Sequence, residues 1–192
     1  MVAVDEFVRV GGVMSTLSQR AGAAPAVSAL ALAVALCGAA APAKAAWHDV
    51  PFSAAYPAGE IIISQHQRAL YFTEGDGRAI RYPIAVGKRG MAWLGSASVE
   101  GKYLAPDWSP PAIVAHDHPE LPSFIPGGSP HNPMGAAAIT LSRYQVAIHG
   151  TTRHMRRSIG TAASYGCIRM YNEDVEDLYQ RVSIGTPVLA VP

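Results

Sequence analysis

Ser164-Tyr165-Gly166-Cys167-Ile168-Arg169-Met170, taken together with His149-Gly150-Thr151 upstream, is the stretch around which the rest of the chain arranges itself. A thiol between glycine and an apolar residue, with an imidazole closing an earlier apolar run, has the composition of an activated-nucleophile site. A free cysteine titrates near about 8.5, so little of it is thiolate at neutral pH, and the thiolate is the attacking species. Cys167 therefore reads as a nucleophile. His149 reads as the base that takes its proton and later hands it to a leaving amine. Gly166 lets the backbone approach a scissile carbonyl, and the N–H groups of Gly166 and Cys167 are expected to face the developing oxyanion. The competing reading is a small core cysteine, the commoner fate of a lone Cys.

His149-Gly150-Thr151, Ile159-Gly160, the Ser164 to Met170 stretch and Asn172-Glu173-Asp174-Val175 together resemble the signature of the L,D-transpeptidase catalytic domain, the YkuD or ErfK/YbiS/YcfS/YnhG family. The resemblance implies a mostly β single domain: a β-sandwich with one or two short helices and a loop-covered active-site groove. It implies peptidoglycan L,D-transpeptidation, with no cofactor and no metal. Cys167 would attack the carbonyl of the third residue of a tetrapeptide stem, D-alanine would leave, and the thioester would pass to an acceptor amine. Arg169, Ser164, Tyr165, Gly150 and Thr151 are the substrate-binding positions so implied, and a carbapenem would acylate Cys167. The implied partners are peptidoglycan stem peptides, with a lipoprotein or outer-membrane protein amine as a further acceptor, met by a monomer. One departure stands out: many relatives carry Thr-Pro-x-Gly where this chain has Trp93-Leu94-Gly95.

Other activities remain open on the residues. An L,D-carboxypeptidase would give the same thioester to water, and a non-catalytic secreted β-sandwich binding module would need no reactive thiol. Papain-like and NlpC-like peptidases place cysteine before histidine, the reverse of the order here. Arg169, two residues after Cys167 in a strand-like segment, shares its face and suits two-pronged binding of a carboxylate. Its alternative is an ion pair with Glu173 or Asp174. Thr152 to Ser158 is densely basic, either to attract an acidic peptide or as a solvated charge run, and its His154 is a rival base. His116-Asp117-His118 has metal-ligand types but no clearly placed third ligand, and His131 has no assigned role.

With 192 residues, 49% of them hydrophobic, the chain has material for one core. Residues 1–45 read as a secretory signal peptide, with Met14 as a possible start. Arg20 precedes an apolar run from Ala26 to Ala41, and Ala43-Lys44-Ala45 gives an A-x-A site for cleavage after Ala45 or Ala46. An uncleaved anchor is an alternative. So is lipid attachment at Cys37, opposed by Leu36 where a small residue is needed. Export to the periplasm would leave Cys167 as the one thiol in an oxidising compartment, where an unused thiol is a liability. Without residues 1–45 the acidic and basic side chains balance, which excludes the basic excess of a nucleic-acid binder.

Residues 46–59 read as a linker and 60–192 as the catalytic domain. Glu60-Ile61-Ile62-Ile63 suits a buried strand. Gly75-Asp76-Gly77 signals a hairpin between a strand over 68–73 and another over 79–86, where Pro83 marks an edge or bulge. The proline-rich 103–133 is expected to wall the groove. Strands are expected over 136–141, 144–148 and 188–191. A helix capped by Asn172 should bury Val175, Leu178, Tyr179 and Val182 on one face.

Overall fold

The computed structural model describes residues 46–192. The expected signal segment lies outside the described residues. In chain order the elements are β1 (His48–Pro51), β2 (Ile61–Ser64), β3 (Ala69–Gly75), β4 (Arg78–Pro83), β5 (Val86–Gly87), β6 (Gly95–Leu104), α1 (Ala112–Asp117), β7 (Ala137–Leu141), β8 (Ala147–His149), a 3-10 turn (Met155–Ser158), β9 (Ala162–Ser164), β10 (Ile168–Arg169), α2 (Asn172–Arg181) and β11 (Pro187–Val191). The domain is mostly β, as the sequence implied.

The isoleucine run forms a strand covered on both faces. Ile61 and Ile63 enter the main core, while Ile62 joins Ala69, Tyr71 and Ala79 in a smaller cluster on the other side, packed against Val50, Phe52 and Tyr56. A strand buried on both faces has no reason to alternate, which is why this one reads as a continuous apolar run. The β3–β4 turn places Asp76 and Gly77 at φ 50° and 72°, the left-handed pair that a two-residue hairpin with matched twist requires. Pro83 is the last residue of β4, beyond the register in which β1 runs beside it. Residues 46–59, expected as a linker, hold β1, antiparallel to β4 from His48↔Arg81 to Pro51↔Arg78. Its side chains are largely exposed, so the pairing rests on backbone groups and leaves no hydrophobic pattern to read.

The long sheet runs β1-β4-β3-β2-β11-β6-β7-β8-β10, and β5 pairs with β9 apart from it. β11 lies between β2, its parallel neighbour, and β6, its antiparallel one. β6, which the sequence reading did not anticipate, joins the two halves. It pairs with β11 up to Ser98 and with β7 from Val99 onward, with a register shift between Val99 and Gly101. A bulge of this kind bends a strand so that it serves two sheets. Leu70 and Tyr82 from one half meet Ile139, Ile148 and Ile168 from the other in one cluster, closed by Val175, Leu178 and Val182 of α2.

The start of α2 corrects the expected cap. Tyr171 is the N-cap residue and makes no side-chain cap bond. The Asn172 Oδ1 instead accepts the N–H of Thr151 at 2.8 Å and of Ala136 at 3.2 Å, tying the helix to the chain on both sides of the β7–β8 hairpin.

Candidate functional site

β8 ends on His149, which lies opposite Arg169 in the parallel pairing with β10. That register sets Cys167, just before β10, near the end of β8. Cys167 and His149 both face one pocket of about 680 Å³, together with Arg169, Ser164 and Tyr165. The opposite wall comes from the proline-rich stretch: Trp108, Pro111, Ile113, Val114, His118 and Leu121 among others. The loop-covered groove is thus built as expected. Gly150 and Thr151 do not line it. Gly150 packs so closely that a Cβ there would lie 2.2 Å from the Asn172 Oδ1, and Thr151 is buried beneath.

The turn carrying the thiol is braced from inside. The Ser164 hydroxyl donates to the Cys167 carbonyl at 2.5 Å and accepts the Gly166 N–H at 3.1 Å. Gly166 sits at φ 117°, open to glycine and strained for other residues. Its N–H is therefore engaged, contrary to the expected oxyanion role, whereas the Cys167 N–H has no partner among the described hydrogen bonds. The Trp93 indole N–H donates to the Gly166 carbonyl at 3.0 Å, so the residue that departs from the common pattern supports this turn. The Cys167 S–H points to the carbonyl of Gln145 at 3.6 Å. Gln145 is itself a non-glycine residue at φ 57°, in the left-handed region.

Burial lowers the imidazole of His149 to about 4, and the nearby Arg169 charge acts in the same direction. Its Nδ1 is buried with no partner in hydrogen-bonding geometry among the described residues, while the carbonyls of Pro133 and Gly150 lie near enough to oppose the shift. Burial pushes the Cys167 thiol up, against an Ala147 backbone bond and the Arg169 charge. At neutral pH the pair therefore stands as thiol and neutral imidazole.

Arg169 is 9% exposed; its Nη1 donates to the Ser158 Oγ at 2.6 Å, and its Nε is buried without a partner among the described residues. The alternative ion pair with Glu173 is not formed. Arg156 takes Glu173 with two bonds of 2.9 and 2.7 Å, so one arginine of the basic stretch braces α2 and is not merely solvated. Tyr165 donates to the Asp117 Oδ2 at 2.7 Å, and the Lys88 ammonium lies 3.6 Å from its ring centroid, linking the catalytic turn to the wall. His154 and His131 line the pocket as well. His116 and His118 each contact a neighbouring acid, and no group of three metal-ligand side chains occurs among the described residues. Trp93, Gln145 and Asn172 went unread in their roles here. The Trp93-Leu94-Gly95 departure was a signal for the first, and none was present for the other two.

These features define a class: a mostly β domain that presents a thiol and an imidazole at strand ends to one loop-walled pocket. The family model of the L,D-transpeptidase catalytic domain, YkuD, matches residues 58–189. The probable L,D-transpeptidase YbiS of Escherichia coli K12 is 36% identical over 138 residues, covering 68% of this chain and 43% of that protein. The chain belongs to the L,D-transpeptidase catalytic-domain family and spans less than half the length of these curated relatives. An L,D-transpeptidase from Mycobacterium smegmatis shares the fold at TM-score 0.55 and 16% identity, over 69% of this chain and 58% of its own. A Brucella melitensis structure described as a probable carnitine operon oxidoreductase is 39% identical at TM-score 0.51, over 75% of this chain and 92% of its own.

Proposed function

We propose that the protein is a peptidoglycan L,D-transpeptidase that is exported across the inner membrane and acts in the periplasm. The observation that carries this reading is the placement of Cys167 and a neutral His149 on one pocket. The imidazole takes the thiol proton as sulfur attacks the carbonyl of the third stem residue. Negative charge gathers on the carbonyl oxygen, near the unengaged Cys167 N–H. When the tetrahedral species collapses, the C–N bond to D-alanine breaks and the imidazolium protonates the departing amine, leaving a thioester. An acceptor amine then loses its proton to His149, bonds to the carbonyl carbon and releases the thiol. Arg169 lies on the same pocket and offers its buried guanidinium to a stem carboxylate.

Incubation of the purified protein with sacculi, followed by muropeptide mass spectrometry, tests this. Cross-linked products with D-alanine release are expected, and Cys167→Ala should abolish both while the melting temperature holds. D-alanine release with tripeptide products only would make water the acceptor and the protein an L,D-carboxypeptidase. Undiminished turnover by Cys167→Ala would remove the thioester altogether. The acceptor, whether a second stem, a lipoprotein lysine or an outer-membrane protein amine, is read from the same spectra.

A further inference from the structure

Asp174, in the first turn of α2, is 0% exposed. Its Oδ1 accepts the backbone N–H of Ala46 at 3.0 Å, and its Oδ2 is buried without a partner among the described residues. The basic groups nearby are engaged elsewhere, Arg156 on Glu173 and Arg181 on Asp177. A buried carboxyl flanked by two further acids and met by amide N–H groups alone is a poorly compensated charge. What reaches it is held in place. Trp47 packs against the main core beneath the Arg181 guanidinium, and β1 is zipped to β4 directly after it. In sequence, the bond ahead of Ala46 is the one that follows Ala43-Lys44-Ala45, the small-x-small pattern of a signal-peptide cleavage site.

We propose that Asp174 is a receptor for a new chain terminus: cleavage between Ala45 and Ala46 creates an α-ammonium on the nitrogen already lying against this carboxylate, and the ion pair so formed locks α2 in the mature protein. The step is a hydrolysis by a signal-peptide endoprotease. Water adds across the Ala45–Ala46 bond, its hydroxyl going to the Ala45 carbonyl carbon, and the freed amine of Ala46 takes up a proton. An amide nitrogen has one N–H to give, whereas an ammonium has three and a full charge, enough to serve Oδ1 and the orphaned Oδ2 together. A cut one residue later would start the chain at Trp47, whose backbone N–H also meets this carboxylate, but would remove the Ala46 nitrogen that Oδ1 holds at 3.0 Å, so the proposal commits to the first of the two cleavage positions the sequence allows. Burial raises the Asp174 carboxyl to about 6 when only amides face it, and an adjacent ammonium would oppose that rise and extend its ionised range to lower pH. The same helical turn carries Asn172, bound to Thr151 and Ala136, so the processed terminus is connected to the floor of the pocket. None of this depends on the reaction at Cys167.

The test is a full-length chain in which residues 42–45 are replaced by a site-specific protease sequence that cuts directly before Ala46. Melting temperature is recorded on one preparation before and after cutting. Cutting should raise it by at least about 3 °C at neutral pH, and Asp174→Asn should abolish the rise. After cutting, an amine-selective reagent near pH 8 should label Ala46 at least tenfold more slowly in the wild type than in Asp174→Asn, because pairing lifts the α-amine above its usual range of about 7.7–8.0. Should Asp174→Asn fold poorly, a second chain whose cut leaves one extra glycine ahead of Ala46 keeps the carboxylate and displaces the amine, and it must lose the rise as well. Equal melting shifts in all forms, or equal labelling rates, would overturn the proposal. So would a natural mature terminus other than Ala46 in the exported protein.

Discussion

The floor and the wall of the pocket are built by opposite means. On the floor, Ser164, His149 and Arg169 are 2%, 5% and 9% exposed, and buried or partly buried hydrogen bonds involving Ser164, Ser158, Trp93 and Asn172 hold their segments. On the wall, α1 buries no residue, Ile113 and Phe124 are 42% and 53% exposed, and the contacts to the floor include the solvent-facing Tyr165–Asp117 bond and a 3.7 Å Lys88–Asp117 pair. Hydrogen bonds kept from water fix geometry, and those in water give way easily. Side chains held this way keep their positions to a fraction of an ångström, as the proposed chemistry requires, whereas a loop surface of this kind changes without cost to the core.

The contrast is broken most severely from the floor. His149→Gln should cut D-alanine release by roughly 10²–10⁴-fold, the contribution of a positioned general base, and a stopped assay on stem tetrapeptide measures it. A rate within a few-fold of wild type would pass the role to His154 or His131. Asn172→Ala orphans two N–H groups and should cost about 1–3 kcal/mol for each left buried, seen as a lower melting temperature together with a lower kcat. Loss of stability with an unchanged kcat would make Asn172 a brace for the fold alone.

The floor also gives stability a pH signature. His149 is lowered to about 4 from 6.5, so between those values the unfolded chain binds a proton that the folded chain refuses, and stability falls as pH drops through that window. Asp174, raised to about 6 from 3.8 while only amides face it, as in the unprocessed chain, has the opposite sign: between 6 and 3.8 the folded chain binds the proton, and its contribution grows as pH falls. His149→Gln removes the first effect and keeps the second. The melting temperature of wild type relative to this variant should therefore decline from pH 6.5 to pH 4, and a difference independent of pH would mean that His149 takes up its proton normally in the folded state. The wall should respond least. Tyr165→Phe is expected to leave the melting temperature essentially unchanged and to alter KM more than kcat, whereas a clear loss of stability would move the wall into the same class as the floor.

The division between floor and wall also separates what the sequence made legible. The β3–β4 hairpin and the apolar face of α2 were readable because one short-range rule, alternation around a glycine turn or spacing of three and four, coincides with one buried face. That Cys167 and His149 would share one pocket was readable because thiol and imidazole chemistry is confined to few residue types. β6 was not, although Ala97, Val99, Gly101 and Tyr103 alternate with polar residues, because it changes partners at its bulge and Gly101 interrupts the apolar side. Asn172 was misread because an asparagine before two acids fits a cap and fits an inward-turned bridge equally well; only the tertiary position of the Thr151 and Ala136 N–H groups decides. β1 left no trace because backbone pairing at an exposed edge asks little of its side chains.

β11 lies in the interior of the sheet although it comes after every other element in the chain. Strands β2 to β4 form a unit of local hairpins, and β6 to β8 form a second antiparallel unit in which β6 and β7 are joined across the whole wall segment, but each lacks one neighbour until Pro187–Val191 slides between them. Closure therefore waits on the contact with the greatest loop to gather, which makes folding slow compared with local hairpin formation. During synthesis the nascent chain stays open up to Val191 however early its first hairpin forms. Until that strand is available, the edges of β2 and β6 that it covers stay unpaired, so the two halves of the sheet have no strand pairing with each other.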